Sequence, residues 1–301
     1  MKFLISGGTG LIGSQITKLL ISNGHKINIL SRKSKISKTL NINYYLWDPK
    51  SKKIDERCLD DVEVIINLAG SSVFSLWIPS VKRKIINSRL NSLSTIYELL
   101  NNKKHKVKHL ISASAIGIYP NHQSIFYTES SDFKIKSYLA DVVQKWESKA
   151  NDFKKIKLKV SILRIGLVLS KNGGILEKLI QFNKLRIVNT IDGGNQWQSW
   201  INIDDLANMF HFIAKNKYEG TFNAVSPNPV SFNELQDFIS IRHKKPFIKF
   251  NLTKYLFTLP FKVLNILDFY HDMIASNKKV SSNKIQNLGF KFVYKSLENL
   301  K

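Results

Sequence analysis

The segment Gly7-Gly8-Thr9-Gly10-Leu11-Ile12-Gly13 constrains the fold more than any other part of the chain. It follows a short apolar run, Lys2–Ser6, that reads as a buried parallel strand. After it, Leu11, Ile12, Ile16, Leu19 and Leu20 recur at helical spacing, the pattern stops near Asn23-Gly24, and Lys26–Leu30 reads as a second strand. Strand, glycine turn, helix and strand within about thirty residues is the context in which a G-x-G-x-x-G run holds a dinucleotide. The reason lies in the backbone. Gly8 is expected to allow the tight turn after the strand. Gly10 lets a pyrophosphate approach the main chain, and Gly13 lets the helix lie close on the sheet. Free amides and the dipole at the helix N-terminus then hold the phosphates. Gly7, Thr9, Leu11 and Ile12 complete the candidate cofactor loop.

The end of the second strand bears on which dinucleotide is taken. An acid there would bond the ribose 2′-hydroxyl, as NAD requires. The chain offers Ser31-Arg32-Lys33 with no carboxylate nearby, and a cation can pair with a 2′-phosphate. NADP (NADPH) is therefore favoured over NAD, with Ser31 and Arg32 as its contacts. The competing reading makes Arg32 one more surface cation. Asn43–Trp47 reads as a third strand ending at Asp48, which either meets the adenine edge or forms the turn before Pro49.

Further apolar strands at Val62–Leu68, Val107–Ala113 and Leu158–Leu163 alternate with helical patterns at Val81–Leu100 and Tyr138–Ala150. That alternation predicts an α/β, doubly wound parallel sheet of Rossmann type. Ligands of such sheets sit at the carboxyl ends of the strands. Here those ends carry Gly7–Gly13, Arg32, Leu68-Ala69-Gly70, Ser114 and Arg164. The second half reads differently. Trp197–Ile201 leads into Asn202-Ile203-Asp204-Asp205, then an apolar helix from Leu206 to Ala214 and a short strand, Thr221–Ala224. Ser231 can cap a helix to about Ile241, with Asn233-Glu234 giving a partial capping box. The last sixty residues read as mostly helical. The expected organisation is a nucleotide-binding domain over residues 1–224 and a smaller C-terminal substrate lobe over 225–301.

Composition removes other classes. Cys58 is the single cysteine, so neither an intrachain disulfide framework nor a cysteine-rich metal site can form, and a reducing, cytoplasmic setting is expected. The seven histidines are dispersed. His105 and His109 are four apart, but His109 opens a strand, so no metal is expected. Lys and Arg total 46 against 22 acids, a formal charge of +24. The lysines are scattered among Asn and Ile and never interleave with aromatics at a stacking spacing. Diffuse charge of this kind gives weak, salt-sensitive attraction, so no specific nucleic-acid partner is expected. The start lacks the pattern of a signal peptide. The late segment Tyr255–Phe269 is interrupted by Pro260, Lys262, Asn265 and Asp268, short of the ~20 apolar residues of a membrane span, and reads as an amphipathic helix.

With these motifs in place, the chain resembles the extended short-chain dehydrogenase/reductase superfamily, the NAD-dependent epimerase/dehydratase group. It is most similar to a subgroup called epimerase family proteins, which carry a short C-terminal domain of unknown function. The resemblance covers nearly the whole chain. It rests on Ile5–Gly13, Ile66-Asn67-Leu68-Ala69-Gly70, Lys84 through Ser88-Arg89, Ser112–Tyr119 and Trp146-Glu147. It continues through Leu163–Leu169, Ser199–Asp205, Asn223–Pro227 and Leu288–Phe292. It implies NAD(P) binding, a small-molecule substrate and oxidoreductase or epimerase chemistry. Folds of this kind often pair through two helices beside the sheet, which leaves a homodimer open.

The superfamily's redox site uses a Tyr acid/base, a Lys four residues later and a Ser or Thr. A free Tyr has a pKa near ~10, and the Lys cation is what lowers it. Four residues after Tyr138 the chain has Val142, and Lys145 lies seven on, off the required position. The catalytic candidates are Ser114 at its strand end, with Tyr119 or Tyr138; each tyrosine has a competing reading as a packed aromatic. Arg89 and Arg164 could grip a phosphate or carboxylate bidentately, Arg89 on the cofactor and Arg164, with Trp200, on an anionic substrate. Arg164 ends a buried strand and so requires a defined partner. Asp204 and Asp205 read as helix N-terminal acids. The second class of function is a non-catalytic, nucleotide-sensing protein that contacts a partner protein. Some relatives have been linked to cell or plastid division, and the absent Lys favours that reading.

Overall fold

In the computed structural model of the chain, residues 1–37, 39–134, 136–177, 179, 187–243, 248–252, 262 and 267–300 are described. β1 (Lys2–Ser6) takes a parallel neighbour on each side: β2 (Lys26–Ser31) and β5 (Val64–Asn67). Beyond β2 the sheet continues to β3 (Ile42–Asp48) and the two-residue, antiparallel β4 (Lys53–Ile54). Beyond β5 it continues to β6 (His109–Ala115), then strands Lys159–Ile165 and Gly220–Ala224, all parallel. The doubly wound parallel sheet predicted from the alternating pattern is therefore observed, with eight strands of which the edge strand β4 is antiparallel. Its strand order reverses at β1, the switch point at which open α/β sheets bind ligands. The central strands are buried on both faces: Phe3, Leu4 and Ile5 are fully enclosed, as are Ile65 and Ile66. This explains why they read as continuous apolar runs rather than alternating ones.

Helices cover both faces. α1 (Leu11–Ser22) packs on α4 (Ile203–Asn216), while α2 (Pro79–Asn102) packs on α3 (Tyr138–Asn151). The caps follow the sequence chemistry. Ser137 Oγ accepts from Ala140 N at the start of α3, and Asn202 Oδ1 accepts from Asp204 N at the start of α4. Asp205, a helix N-terminal acid by sequence, has a further role in the structure. It is fully buried, and its two oxygens accept the amides of Val293 and Tyr294, tying the C-terminal segment to α4. The box at Ser231 is reciprocal rather than partial: Glu234 accepts from Ser231 N while Ser231 Oγ accepts from Glu234 N.

The C-terminal segment departs from its mostly helical expectation. Among the described residues from Leu267 on, helical structure is short: Leu267–Phe269 running on into Tyr270–Ile274, then Asn283–Asn287 and Leu297–Asn299. A two-residue strand, Lys279–Val280, pairs with Phe126–Tyr127. The cause is local polar chemistry. Asn277 Oδ1 accepts from Trp197 N, and Ser199 Oγ donates to Lys278 O and accepts from Val280 N. Such side chains offer the backbone alternatives to a helix. Ile285, Phe290 and Phe292 then join the same core as β1 and β5. Most of Tyr255–Phe269, expected as an amphipathic helix, lies outside the described residues.

Candidate functional site

A cleft of about 740 Å³ opens at the carboxyl ends of β1, β5, β6 and strand Lys159–Ile165. At one end is the glycine loop. Gly7 carries the positive φ of +76°, so the tight turn falls there and not on Gly8 as the sequence suggested. Gly8 has a different reason to be small: a Cβ would meet Ile29 Cγ2 at 2.9 Å. A Cβ on Gly13 would lie 2.2 Å from Gly7 O, so α1 can rise directly off the loop only with glycine there. Gly10 differs from both. A Cβ would meet only Gly7 O at 3.4 Å, and its open side faces the cleft. Gly10 is the N-cap of α1 and supplies no side-chain cap, and the first turn holds no acid. The helix start therefore presents amides and a positive dipole end with no competing anion of its own. These features fit a dinucleotide pyrophosphate.

Around the loop the predicted cofactor residues divide. Leu68, Gly70, Leu11 and Ile12 line the cleft with Gly7, Gly10 and Gly13. Ala69 flanks that wall half-buried, and Thr9 is exposed. Ser31 Oγ bonds Lys33 in a local turn, and Arg32 is exposed beyond the end of β2, beside the glycine loop on β1. Asp48 is committed to the turn: its carboxylate accepts from Lys50 N and Ser51 Oγ, which hold it below its usual pKa. These bonds give Asp48 the turn role of the two read for it.

The Ser88-Arg89 pair acts on the loop after β5. Ser88 Oγ accepts from Ser71 N, and Arg89 Nη1 donates to Ser71 O and Ile85 O. The Arg89 guanidinium lies 4.9 Å from the Trp146 ring centre, and a Cβ on Gly70 would strike it at 3.1 Å. It lines the cleft with no carboxylate in reach among the described residues. Burial pushes its pKa down to about 10. A charge in that position suits an anionic ligand.

The catalytic candidates also divide. Ser114 lines the cleft, and its Oγ donates to Glu147 Oε1 at 2.6 Å. Glu147 in turn takes Arg164 with both oxygens, Nε and Nη2 each at 2.9 Å, and Arg164 Nη1 donates to Tyr119 Oη. Tyr119 is fully buried and donates to Asn223 Oδ1. Burial raises its pKa, against the lowering influence of Arg164. So Tyr119 and Arg164 are corrected to parts of a buried network beneath the cleft. Arg164 finds in Glu147 the partner its burial required, and Glu147 is the residue that sequence reasoning left without a role. Its signal was the position of Trp146-Glu147 on α3, whose buried face must carry any acid that meets Arg164.

Tyr138 does not face the cleft. Its hydroxyl donates to Lys82 O at 2.6 Å, and its ring packs edge-on to Trp77. Burial pushes its pKa up to about 12, the wrong direction for a base. Val142 instead lines the cleft, and Lys145 is exposed and paired with Asp141. Trp200, expected on the substrate side, is fully buried in a separate apolar cluster with Leu169 and Leu235, its indole donating to Asn228 O. It has no surface left for a ligand. The groups that sequence reasoning missed are Asp272 and Lys278, which line the cleft from the C-terminal segment.

Among the described residues no His, Cys, Asp and Glu cluster could hold a metal, and no helix is long and apolar enough to cross a membrane.

Residues 3–224 match the model of the NAD dependent epimerase/dehydratase family. An epimerase family protein of Staphylococcus epidermidis is 34% identical over 300 residues, spanning 99% of this chain and 97% of its own. Among solved structures, the human epimerase family protein SDR39U1 with NADPH superposes with a TM-score of 0.81. It is 22% identical, over 99% of this chain and 97% of that one. UDP-glucuronic acid 4-epimerase from Bacillus cereus in complex with NAD gives 0.78 at 15% identity, over 99% and 93%. At those identities the two structures speak for the fold.

Proposed function

The chain belongs to the NAD-dependent epimerase/dehydratase family, and from that premise we propose that it is an NADP-binding oxidoreductase or epimerase-like enzyme acting on a small, anionic molecule. The observation that carries this reading is Gly10. Of the loop glycines Gly8, Gly10 and Gly13, it is the one whose added side chain would project into open cleft instead of protein. The fold does not require glycine there; a ligand against the backbone does.

Gly7, Gly10, Leu11, Ile12 and Gly13 would hold the pyrophosphate, with Leu68, Gly70 and Arg89 along the rest of the molecule. Arg32 favours the 2′-phosphate of NADP, since it is exposed beside the loop and pairs with no acid among the described residues. When bound, the nicotinamide supplies or takes up a hydride. The chain's own contribution is orientation. Glu147 is engaged by Arg164 through both oxygens, and the same Oε1 accepts from Ser114 Oγ. The Ser114 proton therefore points at Glu147, which leaves the Ser114 oxygen as an acceptor toward the cleft, suited to a substrate hydroxyl.

One observation favours the second reading, a nucleotide-sensing protein without catalysis. Among the described residues no tyrosine lines the cleft, and Val142 stands where the usual lysine would.

A titration of purified protein with NADPH and NADH tests the proposal. Tight NADPH and weak NADH binding, reversed toward NADH by Arg32→Asp and abolished by Gly10→Glu, is the expected result. Binding of neither nucleotide would overturn it. NADPH binding without turnover of any carbonyl or alcohol in a substrate screen would favour the sensing reading.

A further inference from the structure

We propose that Lys278 is the anion grip on the substrate side of the cleft, and that it takes the carboxylate of a small, otherwise apolar molecule. The proposal rests on the nucleotide-dependent reading above and adds the class of molecule admitted beside the nucleotide.

Lys278 lines the cleft and is only 4% exposed. An ammonium carries three donors. One reaches Ser276 Oγ at 3.3 Å, a long contact with a neutral hydroxyl. Among the described residues no carboxylate lies within ion-pair distance of it. The acid that acts on it electrostatically is Asp272. That carboxylate is turned to α3, where Oδ2 accepts the Leu139 amide at 2.9 Å. A buried ammonium left with unmet donors is strongly unfavourable unless a ligand meets it.

The position is imposed by the backbone. Lys278 N donates to Trp197 O, and Lys278 O accepts from Ser199 Oγ. The next two residues pair with Phe126–Tyr127. Both peptide groups of Lys278 are thus fixed on the wall, so the lysine is held in the cleft rather than resting there. The cleft it lines is mostly apolar, with Val142, Val143, Met273 and Ile274 in its wall, while Ser276 and Asp272 are the polar groups beside the lysine itself. Arg89, the other cation in the wall, is occupied with the Ser71 turn and the Trp146 ring. Lys278 has no such commitment. Burial pushes its pKa down to about 8, so an anion beside it would offset the cost of its charge.

Charge count selects the anion. One ammonium and one hydroxyl suit a single negative charge with two acceptor oxygens. A second negative charge, as on a phosphate, would stand against Asp272.

The test uses the full chain saturated with NADPH and three probes built on one phenyl body: phenylglyoxylate, its methyl ester and phenyl phosphate. Calorimetry is expected to show phenylglyoxylate binding at least about tenfold tighter than the ester. Lys278→Met should erase that preference and Lys278→Arg should retain it. The Met variant removes an uncompensated buried charge, so it should melt no lower than wild type and bind NADPH as wild type does. Equal binding of acid and ester, no binding of the acid, or a preference surviving in Lys278→Met would overturn the proposal. Tighter binding of phenyl phosphate would overturn the carboxylate assignment. If wild type takes up no NADPH, it is the nucleotide reading that has failed. The acid–ester comparison on nucleotide-free protein then still decides Lys278.

Discussion

Glu147 holds Arg164 through two parallel hydrogen bonds of 2.9 Å beneath the cleft floor, and the same Oε1 that takes Arg164 Nε also takes the hydroxyl of Ser114. Both charged side chains are about one-tenth exposed. A pair in that position is costly to break from one side, because the survivor keeps its charge without water or partner. Glu147→Leu or Arg164→Met should each lower stability by roughly 3–5 kcal/mol. The double variant should lose clearly less than the sum, since it leaves no orphan charge. Urea midpoints of the four proteins check this, and additive losses would contradict it.

The glycine loop predicts a separation of stability from binding. Gly13→Ala places a methyl 2.2 Å from Gly7 O and 2.6 Å from Gly8 Cα, both backbone atoms that cannot yield cheaply. It should destabilise by about 1–3 kcal/mol or more. Gly10→Ala has extended backbone angles that alanine accepts and only a 3.4 Å contact to meet. Its stability should change by about 1 kcal/mol or less, mainly from the weaker N-cap. Its affinity for NADPH should nevertheless fall by about tenfold or more, because the methyl occupies the path of the pyrophosphate. Thermal melts set beside nucleotide titrations separate the two.

What could be read ahead of the structure follows from how local its cause was. β1, the glycine turn and α1 are set by neighbours within a dozen residues, and their bounds agree with the apolar periodicity. The reason Gly8 must be small was not local, because Ile29, whose Cγ2 a side chain there would strike, belongs to another strand. Tyr119 looked like a site residue because it follows a strand end. Its burial comes from Tyr127, stacked at 5.2 Å, and from Phe133. Trp200 was legible as important but not as buried, since its enclosing residues come from distant parts of the chain. Lys278 had no local signal at all among so many lysines. The pairing of Lys279–Val280 with Phe126–Tyr127 and the backbone bonds of Lys278 to Trp197 and Ser199, all distant in sequence, bring it to the cleft.

Tyr138 supplies a test against ordinary superfamily chemistry. Its hydroxyl is spent on Lys82 O, on the α2–α3 contact, and its ring packs on Trp77. Tyr138→Phe keeps the ring and removes one hydrogen bond. It should cost about 1 kcal/mol of stability and leave NADPH affinity and any turnover within about twofold of wild type. Loss of turnover by orders of magnitude at unchanged stability would return Tyr138 to the catalytic role the sequence suggested.

His109 gives the chain an acid limb whose sign follows from its burial. The ring is 2% exposed on β6, its Nε2 sits 2.7 Å from Ser161 Oγ, and its Nδ1 is buried without a hydrogen bond. Ser161 donates its own proton to Tyr218 O, so Nε2 is the protonated nitrogen and the ring is neutral. Burial, and then the charge of Lys159, push its pKa down to about 4 from an unfolded value of about 6.5. The unfolded chain therefore binds a proton that the folded chain refuses. Stability is fully present above about pH 6.5 and is lost as pH falls toward 4, by up to about 3 kcal/mol over that window. His25 and His211 are lowered in the same direction by burial, so they add to the slope. His109→Gln retains an N–H donor for Ser161 and cannot titrate. Urea midpoints followed from neutral pH downward should flatten in that variant to the residual slope of the other two histidines, and an unchanged slope would assign the acid limb elsewhere.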